Sequence, residues 1–111
     1  MAMLKPEQCA LVTRQAGLRQ LPWGAVYATA EAALHAAAHA PWLAVFADFG
    51  PLPEDFSGSR FTRALLVQCP HLSVYLLSDF PDLHRPLGRA CGAADVVQAE
   101  LEGLAQVLEM A

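Results

Sequence analysis

Charge is scarce in this chain. Seven Lys and Arg and eleven Asp and Glu make up 16% of its 111 residues, against about 25% in an ordinary soluble domain. The formal net charge is −4 and the isoelectric point lies near 5.4, so the basic footprint needed for nucleic acid or an anionic membrane is missing. Cysteine is sparse and unpatterned. Cys9, Cys69 and Cys91 are odd in number, far apart and without a Cys-x-x-Cys spacing, which points away from a disulfide framework or a zinc site and toward three buried thiols in a reducing compartment. No apolar run reaches 18 residues, because His39, Pro41 and Asp48 interrupt the best one, so no membrane span is expected. The opening Met1–Glu7 lacks the apolar stretch of a signal peptide, and a cytoplasmic location is expected. A Gly-x-x-x-x-Gly-Lys loop, a Gly-x-Ser-x-Gly elbow and a His-Glu-x-x-His helix are all missing. Neither an enzyme nor a bound cofactor or metal is expected.

Apolar residues are plentiful at 55%, with Ala and Leu supplying 38 positions, enough to fold one domain over 1–111. Cys9–Thr13 reads as a buried strand, followed by a meagre connection whose Leu18 and Leu21 allow a helical turn or two before Pro22. Ala25–Ala28 is a second strand. Thr29 is a candidate N-cap for a helix over Ala30–Ala40, with Ala30, Ala33, Leu34 and Ala37 on one face and Glu31, His35 and His39 on the solvated one. Trp42–Ala47 is a continuous apolar run ending at Asp48, the pattern of a strand covered on both faces. Beyond a proline-rich loop, a helix over Ser59–Cys69 turns Phe61, Leu65 and Leu66 inward. Val74–Leu77 is a strand ending at Ser78. A helix over Pro81–Ala90, expected to bury Leu83 and Leu87, closes at Gly92. Asp95–Val97 is the last strand, and Glu100–Met110 carries Leu101, Leu104, Ala105 and Leu108 at helical spacing.

Strands alternating with helices imply right-handed crossovers and a parallel sheet. Working residues in such α/β sheets gather at the C-terminal strand ends, where strand order reverses. Here those ends are Thr13/Arg14, Asp48, Ser78 and Ala99.

The order and spacing of four segments resemble the receiver domain of two-component response regulators. They are Ala28-Thr29-Ala30-Glu31-Ala32-Ala33-Leu34, Pro41–Asp48, Cys69–Ser78 and Ala90-Cys91-Gly92-Ala93-Ala94-Asp95-Val96-Val97. The resemblance implies a flavodoxin-like, doubly wound sheet of five parallel strands in the order 2-1-3-4-5, here with the first helix shortened or absent. It also implies a phosphoacceptor at Asp48 and a switch hydroxyl at Ser78. The family's Mg²⁺-holding acidic pair falls on about Arg14 and Gln15, and its phosphate-binding lysine on Ala99, or on Gln98 in a register one residue shorter. Phosphoryl transfer needs all of these groups to position the phosphate and neutralise developing charge, so the pocket reads as degenerate. Arg14 and Asp48 are candidates for a permanent ion pair that locks one state.

The expected function is therefore that of a pseudo-receiver, a module for contact with a protein partner or a second copy, independent of phosphorylation. A phosphorylatable receiver using Asp48 is the first alternative. The second resembles an anti-sigma-factor-antagonist domain switched at Ser57 within Asp55-Phe56-Ser57-Gly58, which requires an antiparallel hairpin between Cys9 and Ala28. The thin connection after the first strand leaves two outcomes for the sheet face beside Leu18, Trp23, Leu101, Leu104 and Leu108. Either it stays open as an association surface, or the Trp23 segment folds over it. Arg60/Arg63 and His84/Arg85/Arg89 are small basic clusters that read as solvated faces.

Overall fold

The computed structural model describes residues 5–13, 16–40, 42–49 and 58–110. Its elements are β1 (Cys9–Val12), β2 (Ala25–Tyr27), α1 (Ala30–Ala37), β3 (Ala44–Asp48), α2 (Gly58–Gln68), β4 (Ser73–Ser78), α3 (Pro81–Ala90), β5 (Asp95–Gln98) and α4 (Leu101–Met110). A 3₁₀ segment over Ala16–Gln20 stands between β1 and β2, where a full helix would complete the alternation. The five strands form one sheet in the order β2-β1-β3-β4-β5. Every pairing is parallel, β1 with β2 included. The fold is thus the flavodoxin-like α/β arrangement, and the N-terminal hairpin required by the anti-sigma-antagonist reading is not formed.

Both faces of the sheet are covered, which explains the unbroken apolar runs of β1 and β3. Successive side chains point to opposite faces. Ala10, Val12, Val45, Ala47, Leu76 and Val96 meet Ala30, Ala33 and Ala37 of α1 and Phe61 and Leu65 of α2. Cys9, Leu11, Ala44, Phe46, Leu77 and Val97 meet Leu18, Leu104 and Leu108 on the other face. Alanines on α1 let that short helix sit close to the sheet, and the Thr29 hydroxyl caps it by accepting the Ala32 amide at 3.2 Å. On the second face Trp23 packs against Phe46 with ring centroids 5.4 Å apart and planes tilted by 55°, and its indole nitrogen donates to the Leu18 carbonyl at 2.8 Å. The 3₁₀ segment and Trp23 therefore close the face that the sequence left open. Leu104 and Leu108 are core residues rather than an association surface, while Trp23 and Leu101 are partly buried against them.

The orientation of α3 overturns a second expectation. Leu83 and Leu87, expected inside, are 71% and 62% exposed, and Phe80 just before the helix is 65% exposed. The inward side carries His84, Arg85 and Gly88 instead. Arg85 donates through Nε to Asp95 at 2.8 Å, through Nη1 to Asp82 at 2.7 Å and through Nη2 to the Val96 carbonyl at 3.0 Å. Gly88 is buried, and a methyl group placed on it would collide with Cγ2 of Val96. A leucine cannot occupy such a contact, so polar anchors and a glycine seat the helix and its leucines turn out. The helix ends as expected at Gly92, where φ is +106° and the Gly92 and Ala93 amides return to Arg89 and Gly88.

Two outcomes test this seating. Gly88→Ala gains helix propensity of about 1 kcal/mol but overpacks a fully buried valine at a cost of about 1–3 kcal/mol. Urea unfolding is expected to show a net loss, and a smaller one in a Val96→Ala background. Burial pushes the Asp95 carboxyl up, but the Val96 amide and the Arg85 and Arg89 guanidinia outweigh it and hold the group below its ordinary value. Its contribution to stability is complete above the unfolded value of about 3.9 and is lost as pH falls through the lower folded value. The urea midpoint should therefore fall more steeply below about pH 4 in the native chain than in Asp95→Asn.

Candidate functional site

Strand order reverses between β1 and β3, and the crevice outside their C-terminal ends is where this architecture places ligands. Val12 pairs with Ala47, so the next residue, Thr13, stands beside Asp48. Thr13 is buried, and its hydroxyl donates into the Asp48 carboxylate, 3.0 and 2.9 Å from the two oxygens. The Thr13 amide donates to the Tyr27 carbonyl at 3.0 Å, and Arg19 Nη2 reaches the Thr13 carbonyl at 3.3 Å. Arg14 and Gln15 lie outside the described residues, and with them the expected Arg14–Asp48 pair. Ser57 lies outside them too.

One strand further along, Ser78 ends β4. Its hydroxyl accepts the Phe80 amide at 2.9 Å and shares a 2.6 Å hydrogen bond with Nδ1 of His84. The His84 ring stacks on Phe49 with centroids 4.2 Å apart and planes 8° apart, and Phe80 meets it edge-on at 6.5 Å. Phe49 is fixed in turn by its amide on the Leu77 carbonyl at 2.8 Å and by the Gly58 amide on its own carbonyl at 3.0 Å. Gly58 makes that approach possible, since a Cβ there would lie 2.5 Å from the Asp48 carbonyl oxygen and 2.7 Å from Phe49 Cα. On the far side, Ser78 is the register partner of Gln98, and Ala99 donates its amide to the Ser78 carbonyl at 3.0 Å. An amide side chain and a methyl group therefore stand where the receiver resemblance would put a lysine.

Among the described residues the resulting edge is tightly hydrogen-bonded. Mg²⁺, which the resemblance would bring, does not fit these residues. Asp48 offers one carboxylate whose two oxygens take the Thr13 hydroxyl, and the sequence supplies no acidic partner at Arg14 or Gln15. Elsewhere among the described residues no group of three His, Cys, Asp or Glu side chains could hold a metal. Glu31 and His35 on α1 and His39 just past its end are exposed. Of the basic clusters, Arg85 is committed to Asp82 and Asp95, and His84 to Ser78. The three cysteines are buried, and burial, with the Glu7 charge adding to it, pushes the Cys9 thiol up to about 11. That thiol is not a ready nucleophile.

Asp48, Ser78 and Ala99 are thus found at one edge, as the strand-end rule foresaw. The groups that hold them there, Phe49 and His84, were not singled out for it. Thr13 stood among the strand-end positions, but the register alone gives it a role.

Replacing Thr13 by Val keeps the shape and removes the donor. Unfolding measurements should show a loss of about 1.5–3 kcal/mol, the range for a hydrogen bond to a charged group. The same change should cost less in an Asp48→Asn background, and a double-mutant cycle reads the difference.

Compared with known proteins, the chain matches no family model and no curated sequence.

Proposed function

We propose that this chain is a pseudo-receiver, a phosphorylation-independent module that acts in the cytoplasm by protein contact within a signalling or assembly system. The observation that carries the reading is the reversed amphipathicity of α3, which seats polar side chains against the sheet and leaves Phe80, Leu83 and Leu87 in solvent. Large apolar side chains grouped on one exposed face are a signature of association.

The sheet edge supports the other half of the reading. A receiver switches when a phosphoryl group on the aspartate recruits the hydroxyl and the lysine. In this chain the Asp48 carboxylate accepts the Thr13 hydroxyl, the Ser78 hydroxyl is shared with His84 and the Phe80 amide, and Ala99 has no charge to offer. With Mg²⁺ unsuited to the site, Asp48 lacks the electrophilic help that acyl phosphate formation needs. The low charge content and negative net charge favour a protein partner over nucleic acid or membrane, and among the described residues no helix is long and apolar enough to cross a bilayer.

Intact mass and thermal melts in Mg²⁺, with and without acetyl phosphate or beryllofluoride, test this directly. Unchanged mass and unchanged Tm are expected. A mass gain or Tm shift that disappears in Asp48→Asn would establish a working phosphoryl switch and overturn the reading.

A further inference from the structure

The two edges of the sheet are finished differently. β5 forms one of them. Leu76 stands level with Val96, and the Ala99 amide donates to the Ser78 carbonyl at 3.0 Å. The alternation of a parallel ladder therefore turns the Val96 N–H and C=O away from β4. Both groups are taken by side chains. The amide donates to Oδ1 of Asp95 at 2.8 Å, and the carbonyl accepts Nη2 of Arg85 at 3.0 Å. That edge is closed to a further strand.

β2 forms the other edge. Leu11 stands level with Val26, and the Thr13 amide donates to the Tyr27 carbonyl at 3.0 Å. Ala25 and Tyr27 thus direct their backbone groups to β1, and Val26 directs its N–H and C=O outward. Among the described residues no hydrogen bond reaches either group. Val26 itself is 39% exposed. No charged residue stands between Arg19 and Glu31, so the lysine or side-chain cap that commonly guards an edge is missing here. The central valine of one edge strand has both outward groups capped, and the central valine of the other has neither.

We propose that two copies of the chain pair through β2, edge to edge and antiparallel, about a two-fold axis at Val26, so that their five-stranded sheets run on as one. The backbone groups define the occupant. It is an extended strand that turns one free N–H and one free C=O outward from an uncharged residue, and β2 is itself such a strand. With the axis at Val26, the two valines form a hydrogen-bonded pair that exchanges both bonds, and their β-branched side chains stand opposite each other on one face. Two copies of an uncharged edge bring no like charges together. The pairing stands on the sheet edge alone and leaves Phe80, Leu83 and Leu87 of α3 free for a different partner.

Sedimentation velocity of the full chain over a concentration series, with thermal melts alongside, tests the pairing. The native chain should dimerise. Val26→Pro removes the outward N–H and none of the bonds to β1, so it should melt near the native Tm and sediment as a monomer. Val26→Lys sets like charges opposite each other and should be monomeric as well. Leu83→Glu should dimerise like the native chain. Residue-resolved hydrogen exchange gives the direct readout: the Val26 amide should exchange more slowly as concentration rises through the dimer range, and remain fast in Val26→Lys. A native chain that is monomeric throughout, a dimer that survives both Val26 substitutions, or a Val26 amide equally fast in monomer and dimer would each overturn the β2 pairing and leave the contact reading of α3 standing. Loss of the dimer in Leu83→Glu alone would place the contact on α3 and overturn the pairing too.

Discussion

The rotation of α3 about its own axis governs both the exposed surface and the sheet edge. Two contacts set it. Gly88 lies so close to Val96 that no side chain fits between them, and Arg85 reaches over the strand end to hold Asp95 and the Val96 carbonyl together. Turning the helix to bury Leu83 and Leu87 would drive leucines into the space Gly88 leaves vacant, and it would strip the guanidinium of its acceptors. The half-buried carboxylate of Asp95 would then keep its desolvation cost without the Arg85 guanidinium beside it. The outward leucines are therefore fixed by the packing beneath them.

The same rotation brings His84 to the end of β4. There its ring lies flat on Phe49 and its Nδ1 meets the Ser78 hydroxyl. Phe49 directly follows Asp48, whose carboxylate is bonded to Thr13 at the end of β1. Each of these contacts is short, and each joins a different pair of elements: β1 to β3, the β3 exit to α3, and α3 to β4. An isolated two-state switch at this edge would need a second set of partners of comparable quality, and the side chains that supply them in a receiver have no counterpart at Ala99.

Much of the fold is written in local chemistry. The apolar runs at Cys9–Val12 and Ala44–Ala47 require cover on both faces and hence parallel pairing, Thr29 and Gly92 mark helix ends by capping, and alternation of strand and helix leaves few topologies. Helix facing was less legible. Leu83 and Leu87 have the spacing of a buried stripe, and only the depth of the Gly88–Val96 contact, a tertiary fact, shows that their side faces water. Leu104 and Leu108 failed in the opposite sense, because the cover over them comes from a short 3₁₀ segment and Trp23, which carry no strong periodic signal. Asp48, Ser78 and Ala99 were legible as strand ends. The Thr13–Asp48 bond was not, since it depends on a register between strands 35 residues apart.

His84 is where the two halves of the molecule meet. It lies one residue from Leu83 on the helix, and through Phe49 and Ser78 it touches the ends of β3 and β4. Any surface seated on Phe80, Leu83 and Leu87 bears on the helix that grips the edge from behind, and Phe80 itself contributes both a face to the stripe and an amide to Ser78. In a receiver a chemical change at the aspartate is passed outward to the contact surface. Here the contacts through Ser78, His84 and Phe49 join the strand ends to α3 and hold it in one orientation. An apolar stripe held rigidly loses less conformational entropy on association than a mobile one.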